Sequence, residues 1–243
     1  MGEATLRVYR GDRDSGVMAD YRVPVEIGMV VLDAILHIQG HIAPDLAARW
    51  NCKAGRCGSC SAEINGRPRL LCKARMDEYP AGQPIEVRAM RAFPLLKDLV
   101  TDVSWNYDVN RRIQAFTPEP GEPRRIHQQD VDRVQEFRKC IECFLCQDVC
   151  HVLRDHEMKN AFIGPRFLVR VAGLEMHPGD TADRLQYLRR EGGIGLCNIT
   201  KCCTEVCPEG IRITDNAIIP LKERVVTKYY DPVAKLISII RRK

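Results

Sequence analysis

Aromatic side chains make up only 6% of the chain, and tryptophan occurs twice in 243 residues. Cores with so few large rings are small and gain stability from something besides side-chain packing. Long apolar runs are also missing. The most hydrophobic window, Ile27 to Ile38, is interrupted by Asp33 and His37 and falls short of the roughly 18 apolar residues a bilayer span requires. A membrane connection therefore has to come through partner subunits. The opening residues, MGEATLRVYRGDRD, have no apolar core of the kind a secretory signal needs, so the cysteines are expected as reduced thiols on a cytoplasmic face. No G-x-G-x-x-G follows a strand, no Walker loop is present, and His156-Glu157 lacks the second histidine of a zinc-protease helix. The chain is not expected to bind a flavin or nucleotide of its own. A net charge of +5 suggests a polyanion partner, but the basic residues are scattered and not interleaved with aromatics, which argues against nucleic acid.

What the chain has in quantity is cysteine, twelve in all. Residues Cys140 to Cys150 read CIECFLCQDVC, with thiols at C-x2-C-x2-C-x3-C, the spacing of bacterial cubane iron-sulfur loops. The fourth cysteine of such a run ligates a different cluster, so a second run is required. It is present as CNITKCCTEVCP, Cys197 to Pro208. Crossed ligation then assigns Cys140, Cys143, Cys146 and Cys207 to a 4Fe-4S cluster, and Cys150, Cys197 and Cys203 to a second one. Structural zinc is the other chemistry open to C-x2-C pairs.

Laid over the first run, the second places Thr200 where Cys143 stands. A cube missing one thiolate tends to lack the corresponding iron, so the second centre is expected to be 3Fe-4S, with a raised potential suited to the end of an electron path. Cys202 is either a buried spare thiol or a substitute ligand, and the spacing to Cys207 favours Cys203 as the ligand.

The N-terminal half carries different signals. Leu6 and Val8 mark a strand. Tyr21, Val23, Val25 and Ile27 alternate on one face of another, placed near an edge by Pro24, and Val31, Ile35 and Ile38 mark a helix. A small α+β domain follows from this order. NCKAGRCGSC then sets Cys52, Cys57 and Cys60 at the C-x4-C-x2-C spacing of a plant-type 2Fe-2S cluster. Gly55 and Gly58 leave room for amides to face sulfur. Asn65-Gly66 is a preferred hairpin turn, which brings Cys72 back beside Cys60 as the fourth ligand. Lys53, Arg56, Lys73 and Arg75 are candidates to offset cluster charge.

Beyond a strand at Ile85 to Val87, Ala89 to Arg125 reads as a connector with short helices around Leu95 to Val103 and a Pro-rich loop at Thr117 to Arg125. Asp130 is placed as the N-cap of a helix running through Lys139, and further helical patterns at Arg166 to Leu174, Asp183 to Arg190 and Asn216 to Tyr230 make the second half helical. The expected division is 1–105 and 106–243. Three one-electron centres without a hydride or substrate site read as a wire between other subunits.

These motifs, together with INGRPRLLC and the FIGP of Phe162 to Pro165, resemble the iron-sulfur subunit of succinate dehydrogenase and fumarate reductase along nearly the whole chain. The resemblance implies a β-grasp plant-type ferredoxin domain followed by an all-α bacterial-type ferredoxin domain. It also implies an FAD-containing flavoprotein on one side and a membrane anchor with quinone on the other, with the subunit on the cytoplasmic face of the plasma membrane. Electrons in that family pass from flavin through 2Fe-2S, 4Fe-4S and 3Fe-4S to quinone. This chain departs from the family at the quinone end. His151 stands where proline usually follows the fourth cysteine, no tryptophan comes shortly after, and Asn198 replaces a histidine. The usual contribution of this subunit to quinone binding is therefore not expected, and another route out, such as an additional redox centre in the anchor, is open, with His151 either part of it or a packing residue. The tail KLISIIRRK, Lys235 to Lys243, is a candidate contact with anionic headgroups or the anchor.

Overall fold

A computed structural model describes residues 2–121 and 125–232. The Lys235 to Lys243 tail lies outside the described residues. Ten-residue strands β1 (Gly2–Gly11) and β2 (Gly16–Val25) pair antiparallel. Helix α1 (Val31–His41) follows, then β3 (Ser61–Ile64), β4 (Arg67–Leu70) and β5 (Ile85–Arg88). The sheet order is β2-β1-β5-β3-β4, with β1 parallel to β5 and the other neighbours antiparallel. This mixed sheet with a helix across it is the α+β fold expected of the first half. Leu6, Val8, Ile35 and Ile38 are buried between sheet and helix, in the faces their spacing predicts.

Pro24 sits on the edge strand β2, where its missing N–H costs no ladder bond. Ile27 departs from the expected buried face. The strand ends at Val25, a turn closed by Met29 N–H donating to Glu26 O (3.2 Å) follows, and Ile27 is fully exposed. The helices expected around Leu95 to Val103 are instead a hairpin of β6 (Leu95–Lys97) and β7 (Val100–Thr101), and α2 runs from Ser104 to Arg112. Asp98 makes the difference. It takes a left-handed φ of 50° at the turn, and its buried carboxylate accepts the N–H groups of Gly11 and Ala47 (both 2.8 Å) and Arg10 Nε (3.1 Å). These long-range bonds outweigh local helical spacing.

The second half holds α3 (Gln128–Gln135) continuing as a 3-10 turn to Lys139, α4 (Leu145–Asp148), α5 (His151–Arg154), α6 (Pro165–Glu175), α7 (Leu185–Arg190), α8 (Cys202–Glu205), a π-helical turn at Ile213–Ile218, and α9 (Ile219–Tyr229). His127 rather than Asp130 is the N-cap of α3, so Asp130 lies within the first turn and favours the helix dipole there. Its core gathers Phe137, Phe162, Phe167, Leu168, Leu188 and Leu221.

The two halves interlock. Cys143 and Leu145 of the first cubane run belong to the N-terminal core, while Met90, Ala92 and Phe93 belong to the helical one. Ser61 Oγ donates to Cys143 O (2.8 Å), and Ala92 N–H donates to Asp148 Oδ1 (2.9 Å). Glu63 of β3, held by Arg91 (2.8 Å), faces Asp148 across this seam. Burial, then the charge of Glu63, pushes Asp148 up to about 7 against the Ala92 hydrogen bond. A raised carboxyl stabilises the fold below its unfolded value and loses that contribution as pH rises towards about 7. Asp148→Asn, neutral throughout, is therefore expected to flatten the pH dependence of the thermal midpoint between about pH 4 and 7. Three pH units correspond to at most about 4 kcal/mol, and parallel pH curves for variant and parent contradict the assignment.

Candidate metal centres

The N-terminal centre is built by one loop and one hairpin. Asn65 (φ 48°) and Gly66 (φ 75°) form the expected turn, and Leu71 N–H donates to Cys60 O (3.0 Å), which sets Cys72 beside Cys60. The N-terminus of α1 fixes the same segment, with Val31 and Leu32 donating to Ala74 O and Leu71 O (2.8 and 3.1 Å). In the loop, Ala54 and Arg56 N–H groups aim at Cys52 Sγ (3.4 and 3.3 Å), and Cys52 and Ser59 N–H groups aim at Cys57 Sγ (both 3.5 Å). Burial opposes ionisation of Cys57, yet the Ser59 and Cys52 hydrogen bonds outweigh it and bring the thiol down to about 7. Cys60 goes the other way, to about 12, through burial and then the neighbouring Cys72 and Cys57.

Lys73 drapes its stem across Gly55, where a Cβ would come within 2.6 Å of it. The other three basic residues named above have their own company: Lys53 lies over the Trp50 ring (4.7 Å), Arg56 approaches Glu209 (3.7 Å), and Arg75 pairs with Asp77.

The helical half presents two sets of thiols. Cys140, Cys143, Cys146 and Cys207 wall one small cavity, together with Ile211, Ile213 and Arg166. Burial, then Cys140 and Cys207, pushes Cys143 up to about 12, and burial raises Cys146 well above the usual thiol range, with Cys143 and Cys140 as its foremost neighbours. Cys150 rises to about 11 and Cys203 to about 12 through burial, with Cys202 and Cys197 acting on both. Four thiols that each oppose their neighbours' ionisation suit a cationic core that neutralises them together. Among the described residues, no three His, Cys, Asp or Glu side chains are gathered closely enough to hold a single metal ion.

Both runs have the same backbone. Two and four residues after Cys140, Glu142 and Phe144 take φ of 56° and 62°, and two and four after Cys197, Ile199 and Lys201 take 63° and 64°. Thr200 therefore holds in its loop the place of Cys143. FIGP supports the first run from behind. Gln147 donates to Ile163 O (3.1 Å) and accepts the Arg166 N–H (3.3 Å) at the start of α6, and Gly164 leaves the space a Cβ would contest at 2.1 Å from Gln147 Oε1.

Sequence reasoning missed three features. Gly58 (φ 69°) touches the Cys143 backbone, which no local pattern announces because 85 positions separate them. Arg166, 5% exposed, has an Nε shut off from solvent without a partner while its fork reaches Glu142. Asp148 is buried on the seam between the halves, and nothing in the run Cys140 to Cys150 marks it for that place. The signal for Arg166 was its place directly after Gly-Pro in a helix otherwise apolar at its start. His151 begins α5 with its ring edge against His156 (6.1 Å).

Residues 5–108 match a 2Fe-2S iron-sulfur cluster binding domain and residues 136–211 a 4Fe-4S dicluster domain. The fumarate reductase iron-sulfur subunit of Mycobacterium tuberculosis is 32% identical over 203 residues, covering 79% of each chain. The succinate dehydrogenase iron-sulfur subunit of Bacillus subtilis is 29% identical over 210 residues, covering 80% of this chain and 81% of that one. A chain of the Mycobacterium smegmatis Sdh1 complex superposes with a TM-score of 0.92 at 59% identity, over 95% of this chain and 98% of that chain. Three sets of cysteines on two interlocked ferredoxin-type halves, matched in these relatives over about four fifths of the chain or more, place it in the family of succinate dehydrogenase and fumarate reductase iron-sulfur subunits.

Proposed function

We propose that the chain is the electron-transfer subunit of a membrane-bound succinate dehydrogenase, with the substrate site on a partner flavoprotein that carries FAD. In this reading Cys52, Cys57, Cys60 and Cys72 hold a 2Fe-2S cluster within residues 1–105. Within 106–243, Cys140, Cys143, Cys146 and Cys207 hold 4Fe-4S, and Cys150, Cys197 and Cys203 hold 3Fe-4S. The observation that carries it is the shared left-handed pattern of the two cysteine loops, which makes them one motif used twice with a single thiol withheld at Thr200. When bound, the clusters supply one-electron redox chemistry. The protein's part is to hold the thiolates, aim N–H groups at them, and bring the halves together at Gly58 and Cys143.

The direction of succinate oxidation is favoured by the Sdh1 relative at 59% identity, against fumarate reduction, the activity named for the relative at 32%. The subunit sits on the cytoplasmic face of the membrane, bound to an anchor that passes electrons to quinone. Among the described residues no helix is long and apolar enough to cross a bilayer, so that attachment falls to the anchor. Anaerobic purification of the complex, with iron, sulfide and flavin analysis, tests this. Three iron-sulfur signals and a copurified flavoprotein are expected, and zinc without sulfide overturns it.

Arg166 offers a sharper check on the 4Fe-4S assignment. A buried cation at the wall of a cavity lined by four cysteines favours the reduced, more negative core. Arg166→Leu should lower the midpoint potential of that centre alone by at least ~59 mV, tenfold in a one-electron equilibrium. Redox-titrated paramagnetic resonance reads the shift, and an unmoved midpoint places Arg166 outside the centre's surroundings.

A further inference from the structure

Cys202 is the cysteine that the proposed ligand sets leave over, and its surroundings are not those of a spare core thiol. The residue at its position in the first run is Leu145, which is buried in the N-terminal core. Cys202 is only half buried, at the start of α8, and stays beside the second set of thiols. Its Sγ lies 3.3 Å from Thr200 Oγ1, and Thr200 occupies the corner where the first run presents Cys143. The sulfur is thus one hydrogen bond from the side chain at the position that lacks a thiolate. The buried thiols of Cys150 and Cys203 both lie within reach of the charge of Cys202, alongside that of Cys197. Cys202 therefore stands near the thiols of the second set and beside the residue whose place in the first run is held by Cys143.

We propose that Cys202 is a reserve ligand, through which the reduced three-iron centre takes up one ferrous ion and closes to a four-iron centre. The inference rests on the three-iron reading above. The step balances in atoms and charge. The one-electron-reduced core, formally two ferric ions, one ferrous ion and four sulfides, is neutral. Addition of a ferrous ion gives two ferric and two ferrous ions with four sulfides, a core of charge two plus. The Cys202 thiol gives its proton to solvent as its sulfur bonds the added iron, and no further electron moves. The electron comes from the subunit's own donor, and the ferrous ion comes from solution. Closure adds a thiolate and lowers the potential of the terminal centre, so iron supply under reducing conditions slows the exit of electrons.

The test uses the purified complex with Cys202 intact and with Cys202→Ser or Cys202→Ala. Each is reduced with dithionite with or without ferrous salt, desalted, mildly reoxidised, and examined by paramagnetic resonance and iron analysis. In the parent, ferrous treatment should diminish the three-iron signal several-fold while iron per complex rises by about one equivalent, and both variants should keep the signal. A parent that is silent from the start while the variants show the signal supports the role equally, since Cys202 is then already bound. Signal retained in parent and variants alike overturns the reserve role and leaves the three-iron reading standing, as does equal loss in all. No three-iron signal in any of them overturns the three-iron reading and the reserve role with it.

Discussion

Replacing Thr200 with cysteine should turn the second centre into a permanent four-iron cluster and stall the delivery of electrons to quinone. The reason lies in the backbone. Ile199 and Lys201 at φ 63° and 64° flank Thr200 as Glu142 and Phe144 at 56° and 62° flank Cys143, so a thiol introduced at 200 starts from the conformation that presents Cys143. Nothing needs to refold. An added thiolate makes the centre more negative and harder to reduce, and the span of such centres, roughly −700 to +450 mV, leaves room for a drop on the order of a few hundred millivolts. Each ~59 mV costs tenfold in a one-electron equilibrium, so quinone reduction with succinate should fall at least tenfold. Reduction of an artificial dye that takes electrons directly from the flavoprotein should persist. The three-iron signal of the oxidised complex should vanish. A variant that keeps that signal and its quinone activity shows that Thr200 does not hold the ligand corner.

The cysteine runs were legible because their spacing is local. Spacing of x2, x2 and x3 is a property of eleven consecutive residues, and Asn65-Gly66 brings Cys72 home by a two-residue turn. The half-buried periodicities of β1 and α1 were legible for the same reason. Sequence periodicity failed where a distant partner decides. Leu95 to Thr101 became a hairpin because Asp98 answers Gly11, Arg10 and Ala47. Ile27 left the core because the turn at Glu26–Met29 cut the strand short. The helix at Asn216 begins within a π-helical turn, Ile213–Ile218, in which Thr214 hydrogen-bonds Thr204 (3.0 Å) and approaches Cys203 (3.5 Å). That tie to Thr204 and Cys203, rather than helix propensity, shapes the turn. The juxtaposition of the two halves was the least legible feature, since it depends on the absence of one side chain.

Gly58 is where that absence has the largest expected consequence. Its φ of 69° and that of Gly55 are the same, so alanine at either position pays the same left-handed backbone cost of about 1–2 kcal/mol. The space around them differs. A Cβ at Gly55 meets the Lys73 stem at 2.6 Å, a flexible chain that can swing aside, whereas a Cβ at Gly58 meets Cys143 Cα at 2.6 Å and its N at 2.9 Å. Those atoms are main chain inside the first cysteine loop, and they cannot give way without moving its thiols or parting the halves. Gly58→Ala should therefore weaken the seam held by Ser61 and Asp148, lower thermal stability by more than Gly55→Ala does, and slow electron passage between the first two centres. Succinate should still reduce the 2Fe-2S signal in rapid-freeze experiments, with the later centres lagging. Equal behaviour of the two variants leaves only the shared backbone strain and removes the Gly58 contact from the electron path.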